Sequence, residues 1–396
     1  MSTGQKLLMI TIELPYPASS GGRMKSWNML KFLSQHFDVG LACPIRYGDE
    51  SIGPMLEKVQ LRDFLSNTLE VPRTAWNLLK SYAFGMPLNV FRNRSLKLKA
   101  QIQAVSDEYD MILVDHYESA QYVPKNFKGK VVFHAHNATF LMWERFAKSD
   151  AALPYKLVTW LEGMRVKASE RQVCERADIV FASPNDIDTL ATIGVDRRKC
   201  HVTYHLGDDS QLDLPDLRFE STIPELIYVG TLNWEANVDG LLWFFDEVLP
   251  LVNQQHPEVT IKIVGSKPDP RLTEKAKALP NVTFTGFVED LEPLLSQARV
   301  SLAPLRFGSG IKVKVINSMC RGLPIVTTSV GAEGIDATHM QHLAICDTAP
   351  TMAQAIHILL TDREIWSYME RESRQRVREK YTWSKVLGDM VKVIKR

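Results

Sequence analysis

Lys312 and Lys314 follow directly on the glycine-bracketed turn "FGSG" (307–310), within the stretch "RFGSGIKVKVIN" (306–317). A turn of bare backbone leaves N–H groups open to an anion, and two cations beside it add charge, so this stretch has the chemistry of a diphosphate site. Ser309, Gly310 and Ile311 supply the backbone between turn and lysines. Two local conformations suit the pattern. Ile311, Val313 and Val315 alternate with the lysines as in a strand. Equally, Lys314, Asn317 and Arg321 fall on one helical face, opposite a row of Ile311, Val315 and Met319. In the helical reading Gly322 stops the helix and Pro324 precedes the next apolar run.

Other residues invite the same question. Gly21 and Gly22 come just before a helix expected from about Arg23, where backbone approaches a ligand closely. His116 follows the run "MILVD" and can hold or pass a proton, or orient a hydroxyl group. His134 and His136 alternate, so on a persisting strand they point to opposite faces, which argues against joint metal ligation. His136 and Asn137 are better placed as polar contacts to an acceptor.

The elements that must position these residues alternate along the chain. Candidate strands are 7–12, 39–43, 111–114, 131–135, 179–183 and 201–205 in the first half. The second half has 226–230, 261–265, 282–286, 300–305, 325–329 and 343–346. Short continuous apolar runs suit strands buried on both faces of a parallel sheet. Helix-length amphipathic segments separate them, such as 237–252 with Leu241, Phe244, Phe245 and Val248 on one stripe. Two doubly wound α/β domains follow, with a polar, two-proline boundary inside 207–225. The expected domains are 1–215, joined by an amphipathic helix at 381–396, and 216–380. In open α/β sheets ligands bind beyond the carboxyl ends of the strands, where the singled-out loops lie.

Composition bounds the function. A chain of 396 residues is long enough for two cores, and 45% hydrophobic with 23% charged residues is a globular balance. A net charge of +1 gives no whole-chain case for nucleic acid. The five cysteines show no CxxC or Cys/His ligand spacing, which fits a reducing compartment and argues against structural zinc. The apolar run at the start is short and broken by Glu13, unlike a signal peptide or membrane span. The expected place is the cytoplasm. One region, 71–99, interleaves Trp76, Phe84 and Phe91 with Arg92, Arg94, Lys97 and Lys99, a pattern suited to peripheral contact with the inner face of a membrane.

The second half reads "YVGTLNWEANVDGLLWFF … IKIVG … NVTFTGFVEDLEPLLSQARVSLAPLRFGSGIKVKVINSMCRGLPIVTTSVGAEGI". It resembles glycosyltransferase family 4, retaining nucleotide-sugar transferases of the GT-B fold. The likeness is strong over 226–335 and looser before it, where the "GG" after the first strand and the histidine after "MILVD" carry it; a C-terminal helix containing Trp383 adds to it. The resemblance implies two Rossmann-like domains facing a central cleft, with the C-terminal helix crossing back to the N-terminal domain. It implies an acceptor-binding N-terminal domain and a donor-binding C-terminal one. Donor phosphates would lie near Gly22, Gly230, Asn233, Lys312 and Lys314, and His116 would contact the transferred sugar. His116 and Lys312 are the catalytic candidates. Where the family commonly has two glutamates eight positions apart, the second on the ribose, this chain has Ser309 and Asn317. The expected activity is metal-independent, cofactor-free transfer of a sugar from a nucleoside diphosphate, UDP favoured over GDP. The acceptor would be an alcohol: a glycan, a lipid-linked glycan or a small molecule. A GT-B nucleotide-sugar epimerase and a non-catalytic nucleotide-sugar-binding subunit are the alternatives.

Overall fold

The computed structural model describes residues 4–18, 21–46, 51–147, 153–204, 206–308 and 311–396. They form two compact units, one of residues 1–204 with 386–396, the other of residues 205–385.

The first unit holds a seven-stranded sheet: β1 (Lys6–Ile10), β2 (Asp38–Ile45), β3 (Phe64–Thr68), β4 (Met111–Asp115), β5 (Lys130–His134), β6 (Ile179–Ala182) and β7 (Cys200–Val202). Their spatial order is 3-2-1-4-5-6-7, and every pairing is parallel. The second unit holds β8 (Ile223–Val229), β9 (Thr260–Val264), β10 (Val282–Gly286), β11 (Ala298–Ala303), β12 (Ile325–Thr327) and β13 (Ala344–Ile345), in the order 10-9-8-11-12-13, again all parallel. The two sheets repeat one winding, in which strand order reverses beside the first strand. The reversal lies between β1 and β4 in one unit and between β8 and β11 in the other. Helices leave to opposite faces at such a point, and loops beyond the strand ends open a crevice there.

Strands covered on both faces explain the continuous apolar runs: Leu7 to Ile10, Ile112 to Val114 and Leu226 to Tyr228 are almost fully buried. β3 was not expected. It is an edge strand, only half-buried, and its "SNT" end lacks the apolar signal of its neighbours.

The boundary falls at 204/205, earlier than the expected 215. Residues 207–215 look like a linker in sequence, but their carbonyls are claimed by the second unit. Arg374 donates to Leu212 O at 2.7 Å and Leu214 O at 2.9 Å, and Arg321 donates to Pro215 O at 3.0 Å. Both arginines are buried, so these bonds are shielded from water. At the other end, the helix Trp383–Ile394 buries Val386, Leu387, Met390, Val391 and Ile394. Its last carbonyls and side chains meet the first unit: Lys130 donates to Ile394 O at 2.9 Å, and the Lys395 ammonium lies 5.1 Å from the Phe37 ring centre.

Candidate functional site

Each unit gathers polar groups at its point of strand reversal. In the first, β4 ends in Asp115, a carboxylate with no exposure. A buried charge survives only when hydrogen-bonded or paired. Ser26, from the helix Gly21–Leu33 that follows β1, donates to Asp115 Oδ2 at 2.5 Å. The rings of two histidines reach the other oxygen: His134 Nδ1 lies 2.6 Å and His136 Nε2 2.7 Å from Oδ1. His116 Nδ1 stands 3.6 Å from Oδ2, and its ring stacks on His136 with centroids 3.6 Å apart. Lys25 is buried beside them.

His134 and His136 therefore do not diverge. β5 ends at His134, and the chain leaves the strand after it, so the alternation that would separate the rings is lost. Asp115, His134 and His136 bring ligand-type atoms within 4.8 Å of one another, the grouping among the described residues that could take a metal ion. As it stands, the carboxylate is satisfied by hydrogen bonds.

The electrostatics follow from burial and Asp115. Burial alone would raise the Asp115 carboxyl, but the charges of His136 and His116 and the histidine hydrogen bonds hold it well below the carboxylate range. Burial pulls His116 down, yet the Asp115 charge outweighs it and raises the imidazole. His134 falls to about 4 through burial and the Lys25 charge. His136 falls too, through burial and then the charge on His116. Lys25 drops to about 8 by burial, opposed by Asp115 and Asp186. Of the three imidazoles, His116 alone is pushed toward its cationic form, beside the Asp115 carboxylate, while His134 and His136 are pushed toward neutrality.

His116 also carries backbone strain. Its φ of 75° and ψ of 140° place a Cβ-bearing residue where glycine is the usual occupant. Its N–H bonds His134 O at 3.2 Å, which ties the strained loop to β5. Gly22, across the strand reversal, is the second residue of the helix Gly21–Leu33, and a Cβ there would meet nothing within 4 Å. Asn137 is exposed just past His136.

In the second unit the open choice at 311–317 resolves as a helix, Val313–Arg321, closed by Gly322 in the left-handed conformation. Lys312 is its N-cap residue and is buried, with Nζ 3.4 Å from Glu333 Oε2. Lys314 lies on the first turn and donates to Tyr228 Oη at 2.6 Å and Asn237 Oδ1 at 2.8 Å. Burial, and then the Lys312 charge, bring the Lys314 ammonium down to about 7. Gly230, the residue after β8, lies close by: a Cβ there would be 2.9 Å from Lys314 Nζ. These lysines are not a solvated helix face. They sit at a helix N-terminus, where the first N–H groups lack intrahelical partners. Ile311 is buried beside them, and Asn233 is exposed on the turn after Gly230. Ser309 and Gly310 lie outside the described residues.

Asn317 has a different occupation from the expected one. Its Oδ1 accepts the Asp208 N–H at 2.9 Å, so the oxygen expected at a ribose diol is engaged within the unit. Sequence reading also missed Asp115, Ser26, Tyr228 and Asn237. Asp115 carried one signal, since an aspartate closing a buried strand next to a histidine is costly without a partner. The other three gave none, because their partners lie far along the chain.

Comparison with known proteins matches this architecture. HepE of Anabaena, crystallised with UDP, aligns over 99% of both chains with a TM-score of 0.69 at 14% identity. Sucrose-phosphate synthase of Thermosynechococcus elongatus aligns over 99% of this chain and 98% of its own, with a TM-score of 0.67 at 16% identity. The fold is GT-B. Within the GT-B chain, residues 223–362 match the family model "Glycosyl transferases group 1", and that span contains Gly230, Lys312, Lys314 and Asn317. An "uncharacterized 44.6 kDa protein in cps region" of Klebsiella pneumoniae is 23% identical over 403 residues, covering 98% of this chain and 99% of its own.

Proposed function

We propose that this GT-B protein is a retaining, metal-independent glycosyltransferase that moves a hexosyl group from a nucleoside-diphosphate sugar, UDP favoured over GDP, to an alcohol acceptor. The observation that carries the reading is the pair of buried Lys312 and half-buried Lys314 at the start of the Val313–Arg321 helix, inside the span that matches the glycosyltransferase model. Lys312 and Lys314, with the free N–H groups of the helix, hold the diphosphate and stabilise the charge that grows on it as the sugar leaves. The anomeric carbon–oxygen bond breaks with its electron pair going to the phosphate. The acceptor oxygen bonds to that carbon, and its proton passes to the departing phosphate oxygen. His116, pushed toward its cationic form by Asp115, donates to a hydroxyl of the transferred sugar. The acceptor is a glycan, a lipid-linked glycan or a small-molecule alcohol, with His136 and Asn137 on its side. No nucleic acid is involved.

The test combines donor and variant. Purified protein is given UDP- and GDP-sugars with alcohol acceptors, with and without chelator, and the anomeric configuration of the product is read by NMR. Retention, unaffected by chelator, is expected. Lys312→Ala and Lys314→Ala should each weaken UDP binding by about 1.5–3 kcal/mol, the range for a charge-assisted contact. Epimerised or hydrolysed donor without transfer, or unchanged UDP affinity in both variants, would overturn the reading.

A further inference from the structure

A second feature of the first unit has nothing to do with the strand ends. Glu162 and Glu170, two of the three glutamates on the helix Leu153–Arg176, point inward and are 1% exposed each, while Glu175 stands outward. Glu162 accepts the Leu88 N–H at 2.8 Å, and Glu170 accepts the N–H groups of Thr139 and Phe140, both at 2.8 Å. Outward, at helical spacing, stand Leu157, Trp160 and Met164, which are 57%, 52% and 45% exposed. Single exposed apolar residues are ordinary, but an ordered stripe is not.

A second exposed apolar stripe lies on a helix tied to this one through a single side chain. On the helix Ala75–Ala83, Trp76 and Leu79 are 64% and 61% exposed, and Phe84 follows at its end. Arg165 joins the two helices: it donates to Ser81 O at 2.8 Å and to Met86 O, and stacks 3.9 Å from the Tyr82 ring centre. Next to the Arg165 contact, behind the 85–87 turn, opens a cavity of about 440 Å³ lined by Gly85, Met86, Arg165 and Ala168, with Lys99 and Lys125 also on its wall. The segment that carries the second stripe has one sign of charge. Residues 71–105 contain Arg73, Lys80, Arg92, Arg94, Lys97 and Lys99 and no Asp or Glu. Lys80 lies 5.3 Å from the Trp76 ring centre, and Arg94 lies 4.7 Å from that of Phe84, so cation and aromatic stand together.

We propose that this face, both helices and the 84–87 turn between them, docks on the surface of an anionic phospholipid bilayer. Tryptophan and leucine enter the boundary between headgroups and acyl chains while the lysines and arginines meet lipid phosphate. Among the described residues no helix is long and apolar enough to cross a membrane, so the contact is interfacial. A second copy of the chain is a poorer occupant, since a self-complementary contact would set the same cations against each other. The 71–99 region read from the sequence is thus half of a surface completed by the Leu153–Arg176 helix. The inference deepens the proposed function by placing the enzyme where a lipid-linked acceptor resides, and it is tested apart from catalysis.

The full-length protein is sedimented with phosphatidylcholine vesicles, alone or containing phosphatidylglycerol, at low and high salt. Two variants accompany it: Leu79→Ser/Trp160→Ser/Met164→Ser and Arg94→Glu/Lys97→Glu/Lys99→Glu. We expect the wild type to pellet only with phosphatidylglycerol and to release at high salt. The charge variant should lose roughly fivefold in partition for each cation removed, and the apolar variant should stay in the supernatant. UDP affinity of both variants should equal the wild type, which separates failure of docking from failure of the proposed activity. The proposal is overturned by absence of pelleting at low salt, or by variants that pellet like the wild type. Self-association in solution that Leu79→Ser/Trp160→Ser/Met164→Ser abolishes, without vesicle binding, would also overturn it and assign the face to a second copy.

Discussion

A Cβ-bearing residue at φ 75°, as at His116, costs about 1–3 kcal/mol relative to a relaxed backbone. Glycine would remove that cost, so the imidazole is kept for what it touches. This yields a paired expectation. His116→Ala and His116→Gly should both lose most turnover while keeping UDP affinity, as for a group acting on the sugar and not the nucleotide. His116→Gly should unfold about 1 kcal/mol later than His116→Ala in denaturant, because only glycine relieves the left-handed strain. Equal stability of the two variants would show that the loop does not hold the histidine under strain. Lys314 offers a titration. Its pKa of about 7 makes it cationic below that pH and neutral above, and a bound diphosphate favours the ammonium. UDP affinity should therefore fall as pH rises through 7, with a proton taken up on binding below full protonation. Calorimetry in buffers of different ionisation enthalpy reads that proton, and Lys314→Ala should lack this lysine's share of the step.

At the scale of elements, the Val313–Arg321 helix is bound to the chain that precedes β8. Asn317 Oδ1 holds the Asp208 N–H, and a Cβ on Gly207 would lie 1.8 Å from that oxygen. Trp383 Nε1 also donates to Gly207 O at 2.8 Å, so the segment is held from two sides. Gly207→Ala should cost about 1–2 kcal/mol by displacing the amide from its bond. Adding Asn317→Ala should recover part of that loss, since the clash disappears with the amide; a double-mutant cycle by urea denaturation should give a coupling of about 0.5–3 kcal/mol. Strict additivity would mean that the two residues do not meet. Asn317 also marks the limit of reading by sequence. Its place on a helical face and the closure at Gly322 were visible, because both depend on neighbours within a few residues. Its partner lies 109 residues away and left no local trace. The same division runs through the fold. Central strands announced themselves because both faces are buried, whereas β3, half-wet at an edge, did not. His116 and the lysines stood out by type and position, whereas Asp115, which organises the histidines, looked like the end of a strand.

For the molecule as a whole, the unit that holds residues 205–385 is inserted between two parts of the other, 1–204 and 386–396. Val386, Leu387, Met390, Val391 and Ile394 are buried, and full burial of such a side chain contributes about 1.5–3 kcal/mol. A chain ending at Lys385 should therefore keep the melting transition of the 205–385 unit and show a clearly lower one for the first. Scanning calorimetry distinguishes the two, and a single unshifted transition would mean that the last helix adds nothing to the first unit.

The insertion also sets a schedule for synthesis. Domains generally mature in the order in which the ribosome releases them. Here the N-terminal unit, made first, waits for its last helix while the intervening 205–385 stretch is translated. At ~5–20 residues per second that wait is roughly 10–40 s. For that time the first unit lacks the five buried apolar side chains of that helix, and the nascent chain offers chaperones a binding target. Whichever unit begins to fold first, the one begun first in translation is the one finished last.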